Sequence, residues 1–167
     1  CNCPDVNEVT DFTISDDYTI EAWVYPDSTQ NTTSNADNDV IEKWGNAGVG
    51  YPYVCRWIRS SNSMNIAVWN NGTSQGLSIT GFTTDAWNHF AAVFDHTNDT
   101  LTGYFNGQQS ATTALTITGD ISNSYDLWIA RRGTTDVNTQ NWWTGRISTI
   151  RTYNRALSAS DIDRNFQ

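Results

Sequence analysis

The stretch Y-T-I-E-A-W-V-Y at residues 18–25 decides the fold class, because its aliphatic residues recur at every second position. An extended chain points successive side chains to opposite faces, whereas a helix groups residues three and four apart. One face of the stretch carries Ile20, Ala22 and Val24, and the other carries Glu21 and Trp23. We therefore predict a half-buried β-strand that ends at Pro26, since proline cannot donate to a sheet ladder.

The same period of two continues along most of the chain. It predicts further strands at residues 40–44, 53–59, 63–69, 77–80, 87–94, 101–105, 109–118, 126–131 and 144–153. Polar turns separate these runs, and Asn106-Gly107 is a strong hairpin signal because both residues tolerate positive φ. A parallel sheet would require strands that alternate with helices, and the sequence shows no such alternation.

The tail of the chain departs from this pattern. Ser158 can cap a short helix over residues 159–165, with Asp161 completing a capping box. Strands that bury one face need a second layer to pack against. We predict an all-β, two-sheet antiparallel jelly-roll sandwich with a short C-terminal helix, forming one domain over residues 1–167 whose first part, residues 1–15, joins the sheet.

Charge and hydropathy exclude two classes of partner. Nine basic residues stand against eighteen acidic ones, and Lys43 is the only lysine, so the chain offers no basic stripe for phosphates and nucleic acid is not expected. No run approaches the roughly 18 apolar residues of a transmembrane helix. We expect a mature or excised domain of a larger protein.

Three cysteines leave at least one thiol without a partner inside this sequence. Cys1 and Cys3 lie at the terminus, and Cys55 lies in a predicted strand. A bridge from Cys55 to Cys1 or Cys3 would tie the terminus to the sheet. Whether any of the three forms a disulfide stays open from sequence.

Four runs resemble the laminin-G-like family of concanavalin A-like jelly rolls: T-I-E-A-W-V-Y-P at 19–26, W-N-H-F-A-A-V-F-D at 87–95, Y-F-N-G at 104–107 and G-R-I-S-T-I-R-T-Y-N-R-A-L-S at 145–158. The resemblance implies a module that binds glycans or glycoproteins, often with calcium, within secreted, cell-surface or phage-particle proteins. Ser148 and Thr149 depart from the family pattern, which often has acidic residues there, so a cation site using those side chains is not expected.

Calcium prefers six to eight hard oxygen ligands, which loop Asp and Asn residues supply. One candidate cluster is Asp95, Asn98 and Asp99, a second is Asp37 with Asp39, and a weaker third is Asp136 with Asn138. The alternative is that these residues form turns by bonding their own backbone.

Sugar sites need flat aromatic faces for pyranose rings and polar groups for hydroxyls. The candidates are Trp142, Trp143, Trp57 and Trp69, with Arg131 and Arg132 (and Arg56) as polar partners. Adjacent Trp142 and Trp143 point to opposite faces of a strand, so at least one of them should be exposed. The alternative is that these aromatics pack between the sheets.

Catalysis is not expected. A retaining glycosidase needs two neighbouring carboxyl groups, and no strand carries acidic residues at alternate positions. We predict a non-catalytic module that recognises extracellular or cell-surface glycans, with calcium as a candidate cofactor. The alternative is a structural decoration, adhesion or assembly domain on a virus particle or cell envelope. Either hypothesis places the protein outside the cell, on a cell surface or on a virion.

Overall fold

The computed structural model describes residues 2–3, 16–30, 38–44, 50–70, 72–117, 119, 121–132 and 142–167. These residues form the strands β1 (Asn2–Cys3), β2 (Tyr18–Pro26), β3 (Asn38–Glu42), β4 (Tyr51–Ile58), β5 (Ser63–Asn70), β6 (Thr73–Thr80), β7 (Asn88–Asp95), β8 (Thr100–Phe105), β9 (Gln108–Ala114), β10 (Leu127–Ile129) and β11 (Gly145–Tyr153), and the helix α1 (Ala159–Phe166).

The strands form two antiparallel sheets. The six-stranded sheet has the order β1-β10-β3-β4-β5-β6, and the five-stranded sheet has the order β11-β2-β7-β8-β9. The predicted jelly-roll sandwich is therefore confirmed. The N-terminal segment joins the sheet through β1, which pairs with β10.

The hydrophobic core fills the space between the two sheets. The long strands contribute alternate side chains, as the period of two predicts. The predicted inner face of β2, formed by Ile20, Ala22 and Val24, is fully buried. Facing strands add Tyr53, Cys55 and Trp57 from β4, Met64, Ile66 and Val68 from β5, and Phe90, Ala92 and Phe94 from β7.

Strand ends differ from the prediction where side chains are exposed. β6 begins at Thr73 rather than at residue 77, and it pairs with β5 along its whole length. Its first four residues are polar or glycine, so they carry no apolar alternation to detect. The Asn106-Gly107 hairpin is as predicted, with φ of 47° and 78°.

Helix α1 covers part of the outer face of the five-stranded sheet. It begins after Ser158, whose side chain accepts a hydrogen bond from the Asp161 amide, which confirms the capping box. Ile162 and the preceding Leu157 pack in a small second cluster with residues of β7 and β8. Across the described residues, every helix falls short of the length and apolar character that crossing a bilayer requires.

A buried carboxylate, Glu21, ties this outer layer together. Its Oε1 accepts hydrogen bonds from Arg151 Nη1 at 2.8 Å and Tyr153 Oη at 3.0 Å, and its Oε2 accepts one from Asn165 Nδ2 of α1 at 3.1 Å. His89 Nε2 lies 3.7 Å from the same Oε2. Burial raises the pKa of Glu21, but the contacts with these four residues outweigh it and lower that pKa to about 2.

Cys55 is free and fully buried in β4. The bridge from Cys55 to Cys1 or Cys3 is therefore wrong in this structure, because alternation points the Cys55 side chain into the core. Burial, followed by the charges of nearby carboxylates, raises the pKa of this thiol above its ordinary range. A buried thiol with a raised pKa is chemically inert.

Glu21→Gln should test the carboxylate cluster. The variant keeps the size of the side chain but removes the charge, and we expect the free energy of unfolding at pH 7 to fall by about 3 kcal/mol. Urea denaturation measures the change. Asp163→Asn, which alters a partly exposed carboxylate of α1 outside the cluster, is the matched control and should change stability by less than about 0.5 kcal/mol.

Comparing the unsubstituted protein with Glu21→Gln at different pH values gives a second test of the cluster. Because the folded pKa of Glu21 is about 2 and its ordinary value is 4.5, the stabilisation is complete above about pH 4.5 and is lost as the pH falls towards 2. The stability difference between the unsubstituted protein and Glu21→Gln should therefore shrink over that window. A difference that stays constant from pH 7 to pH 2 would contradict the cluster.

Candidate binding site

A pocket of about 190 Å³ lies on the outer face of the six-stranded sheet. Trp44, Tyr51, Arg56 and Trp69 line it, and we call these four residues the aromatic groove. The strands place them there by alternation, since Arg56 lies between the core residues of β4 and Trp69 follows a core residue of β5.

The aromatic rings of the groove hold one another in place. Tyr51 and Trp69 are paired residues of β4 and β5, and their rings stack with centroids 6.0 Å apart and planes 16° from parallel. Trp44 meets Tyr51 edge-on, with a centroid distance of 6.5 Å. Such pairs keep the rings oriented before any ligand arrives.

Two guanidinium groups lie against the Trp44 ring. The Cζ atom of Arg132 is 4.5 Å from the ring centroid, and that of Arg56 is 5.4 Å away. Asp39 anchors both, because its Oδ1 is 2.7 Å from Arg56 Nε and its Oδ2 is 3.4 Å from Arg132 Nε. Glu42 Oε2 lies 3.5 Å from Arg56 Nη2. Two buried carboxylates thus fix and neutralise Arg56 of the groove and the adjoining Arg132.

A β-bulge brings the two carboxylates to the same arginine. The register of β3 against β4 shifts between Asp39 and Ile41, so Asp39 and Glu42 both reach Arg56 although they are three residues apart. This pair was not predicted, because in a regular strand residues three apart point to opposite faces. Both side chains are fully buried and bound to arginine. They therefore anchor Arg56 and do not face a substrate as a glycosidase pair must.

The outer face continues from the groove towards β10. Trp128 alternates with residues that pack on the core, and the Cζ atom of Arg131 lies 5.1 Å from its ring centroid. Arg131 also forms an isolated β-bridge with Trp142, which is 51% exposed. Directly opposed residues of antiparallel strands share a face, so Trp142 lies beside Arg131.

The structure separates the predicted sugar-site residues into two groups. Trp69 lines the groove, and Arg132 adjoins it through its contact with Trp44. Arg131 and Trp142 lie together further along the same face. The prediction that Trp57 and Trp143 bind a ligand is wrong. Both side chains are buried in the core cluster and present no face to a ligand. Trp57 follows Arg56 on β4 and therefore points inward.

Sequence reasoning missed the roles of Trp44, Tyr51 and Trp128. Tyr51 is brought to Trp69 by strand register, and Trp44 approaches through its contacts with the two arginines. Only knowledge of the order β10-β3-β4-β5 reveals that these segments are neighbours. The sequence does carry a signal for Trp69. It is out of phase with Met64, Ile66 and Val68, the core residues of β5, and therefore faces outward.

The predicted calcium residues fall at separate places. The prediction that Asp39 binds calcium is wrong in this structure. Its side chain is buried and paired with two arginines, whose positive charges compete with a cation. Its predicted partner Asp37, and the weaker candidates Asp136 and Asn138, lie outside the described residues.

The remaining candidate cluster, Asp95, Asn98 and Asp99, forms the turn between β7 and β8. Both oxygens of the Asp95 carboxylate accept hydrogen bonds from the Asn98 side-chain amide, and Oδ1 also accepts one from the Asn98 backbone. Asp99 follows with a positive φ of 53°. Among the described residues, no three His, Cys, Asp or Glu side chains come together as a set of metal ligands. Calcium at this turn therefore stays a prediction.

Comparison with known proteins places this geometry in a family. The family model described as the Concanavalin A-like lectin/glucanases superfamily, of laminin G type, matches residues 4–163. The chain belongs to this family. No curated protein sequence matches it.

Solved structures share the fold at low sequence identity. The binding domain of Paraclostridial Mosquitocidal Protein 1 superposes with a TM-score of 0.72 at 15% identity, covering 96% of this chain and 39% of that one. A heptameric SAP-like pentraxin from Limulus polyphemus gives 0.67 at 15%, covering 99% and 80%. A proposed carbohydrate-binding protein from Bacteroides ovatus gives 0.64 at 18%, covering 92% and 41%. The chain thus spans about two fifths of the first of these structures.

Two tryptophan variants should separate the core from the groove. Trp57→Ala leaves a cavity in the core, and we expect it to lower the free energy of unfolding by roughly 3–5 kcal/mol. Trp69→Ala removes a partly exposed ring that stacks on Tyr51, and we expect a loss of about 1 kcal/mol. Urea denaturation followed by circular dichroism measures both. Equal losses would contradict the placement of the two rings on opposite faces.

Proposed function

We propose that this chain is a non-catalytic recognition module that binds glycans through the aromatic groove. The observation that carries the proposal is the combination of three partly exposed rings with two arginines fixed by buried carboxylates. Sugar rings pack their C–H faces on aromatic side chains, and guanidinium groups donate hydrogen bonds to hydroxyl oxygens. The groove offers both kinds of contact on one surface.

The size of the groove limits what enters it. Small-molecule pockets usually measure about 300–1,000 Å³, and this one is smaller at about 190 Å³. One sugar ring at a time can rest on the aromatic rings, while its neighbours extend along the outer face towards Trp128 and Trp142. A module of this kind reads a short segment of a glycan.

The charges of the groove favour a hydroxyl-rich, neutral ligand. Asp39 and Glu42 balance Arg56 and Arg132, so the groove carries paired rather than net positive charge. A groove whose charges are matched in this way has little attraction for carboxylated or sulfated sugars, so sugar hydroxyls are the expected contacts.

The fold neighbours support a binding role within a larger protein. Several are named as binding or receptor-binding domains, and one as a proposed carbohydrate-binding protein. We propose the same role here, in an extracellular or surface setting. A decoration, adhesion or assembly domain on a virus particle or cell envelope is the rival function, and it requires no sugar site.

Trp69→Ala tests the glycan proposal. Losing the ring removes the stacking surface, and we expect the affinity for the best ligand of a glycan array to fall at least tenfold. Trp69→Phe retains an aromatic face and should restore most of the binding. Arg132→Ala should weaken binding by a similar factor, whereas Arg164→Ala, an exposed arginine on α1, is the charge-matched control.

The outcomes of the array separate the candidate functions. Binding that survives Trp69→Ala unchanged would overturn the groove as the site. Silence of the whole array would favour the rival structural role. Release of reducing sugar from a bound glycan, abolished by Asp39→Asn or Glu42→Gln, would contradict the non-catalytic assignment.

We further propose that the turn with Asp95 and Asp99 binds calcium and thereby stabilises the fold. A ligand that binds only the folded state adds about 2.7 kcal/mol at a hundred times its Kd, so millimolar calcium should raise Tm. Asp95→Asn and Asp99→Asn should remove the rise, and magnesium serves as the control ion. A Tm that calcium leaves unchanged would refute the site, and array binding with and without chelator would show whether the ligand needs the ion.

A further inference from the structure

A second pocket lies on the outer face of the five-stranded sheet. It has a volume of about 520 Å³ and is lined by Trp23, Trp87, Ser148 and Thr149. Trp87 is 42% exposed, and among the described residues only it and Trp142 are large apolar side chains with such exposure. The aromatic groove lies on the other sheet, so the two pockets share no residue.

Neighbouring side chains hold both indoles of this pocket. Phe166 at the end of α1 stacks on Trp23, with ring centroids 5.5 Å apart and planes 17° from parallel. Tyr25 meets Trp87 edge-on at 5.6 Å. The Cζ atom of Arg146 lies 4.8 Å from the Tyr25 ring centroid. The aromatic wall is therefore ordered by packing within the fold, and Phe166 of α1 supports the Trp23 ring.

A β-bulge supplies the polar side of the pocket. In the pairing of β11 with β2, Ser148 lies opposite Trp23 and Ile150 opposite Ala22, which leaves Thr149 as the extra residue. Thr149 has a φ of 26°, a left-handed value that β-branched residues rarely adopt. As a result two consecutive hydroxyls line one pocket, with Oγ of Ser148 and Oγ1 of Thr149 3.5 Å apart.

We propose that this second pocket binds one pyranose ring of a glycan. The exposed Trp87 indole offers apolar surface to the ring, and the two hydroxyls can donate to and accept from neighbouring sugar hydroxyls. The volume lies within the usual range for a small-molecule site. The site shares the ligand class of the proposed function but none of its residues.

Two sites on opposite sheets give the module a capacity that the groove alone lacks. One chain can hold two glycans at once, one against each outer face. On a surface that displays many copies of a sugar, such a chain bridges neighbouring glycans and gains avidity from the second contact.

Fluorine NMR of protein labelled with 5-fluorotryptophan tests the pocket, with signals assigned by single Trp→Phe variants. The probes are free glucose, galactose, mannose, N-acetylglucosamine and N-acetylgalactosamine. We expect at least one sugar to shift the Trp87 and Trp23 signals, in the unsubstituted protein and in Trp69→Ala alike. The double variant Ser148→Ala/Thr149→Ala should weaken that response at least tenfold, while the exposed pair Ser78→Ala/Thr80→Ala on β6 should leave it unchanged.

The possible results distinguish the two sites. Movement of the Trp44 and Trp69 signals with Trp87 and Trp23 silent would overturn the second pocket and leave the proposed function standing. Movement of Trp87 and Trp23 alone supports the second pocket and counts against the groove. Silence of all tryptophan signals contradicts both, and a response that survives the double hydroxyl variant refutes the assigned hydrogen bonding.

Discussion

The molecule depends on one constraint, which is that a strand can give only every second side chain to the space between the two sheets. The inner set fills the core with aliphatic and aromatic groups such as Ile20, Trp57 and Phe90. The outer set is what remains for recognition, although α1 covers part of the outer face of the five-stranded sheet, where Asn165 binds Glu21. The composition of both surface sites is therefore decided by the residues that the core does not take.

Both candidate sites lie where this alternation is interrupted. The bulge in β3 lets Asp39 and Glu42 reach the same arginine, and the bulge in β11 places two hydroxyls in one pocket. A regular strand would have sent one member of each pair elsewhere. Bulges re-aim side chains at the cost of local ladder pairing, which is why they are concentrated near functional surfaces.

The fold was predictable from the sequence because alternation is a local signal. The β2 stretch, the Asn106-Gly107 turn and the capping box at Ser158 each specify their structure within a few residues. The site was predictable only in part. Trp69, Arg132, Arg131 and Trp142 lie on the outer face, but Trp57 is in the core, and Trp44 and Tyr51 become neighbours only through strand order. Bulges have no sequence signature here. The shared contact of Asp39 and Glu42 with Arg56 and the positive φ of Thr149 could therefore not be foreseen.

The distribution of charge has a consequence for how the module meets its target. The whole chain carries a formal charge of -9, whereas the arginines of the groove are already matched by carboxylates beside them. In dilute buffer the long-range field therefore repels anionic coats and slows first encounters with them. At physiological ionic strength that field is screened beyond about 8 Å, while contacts made by adjacent, paired charges persist. The field of the whole chain therefore matters most at low ionic strength, whereas the paired charges of the groove act at any salt concentration.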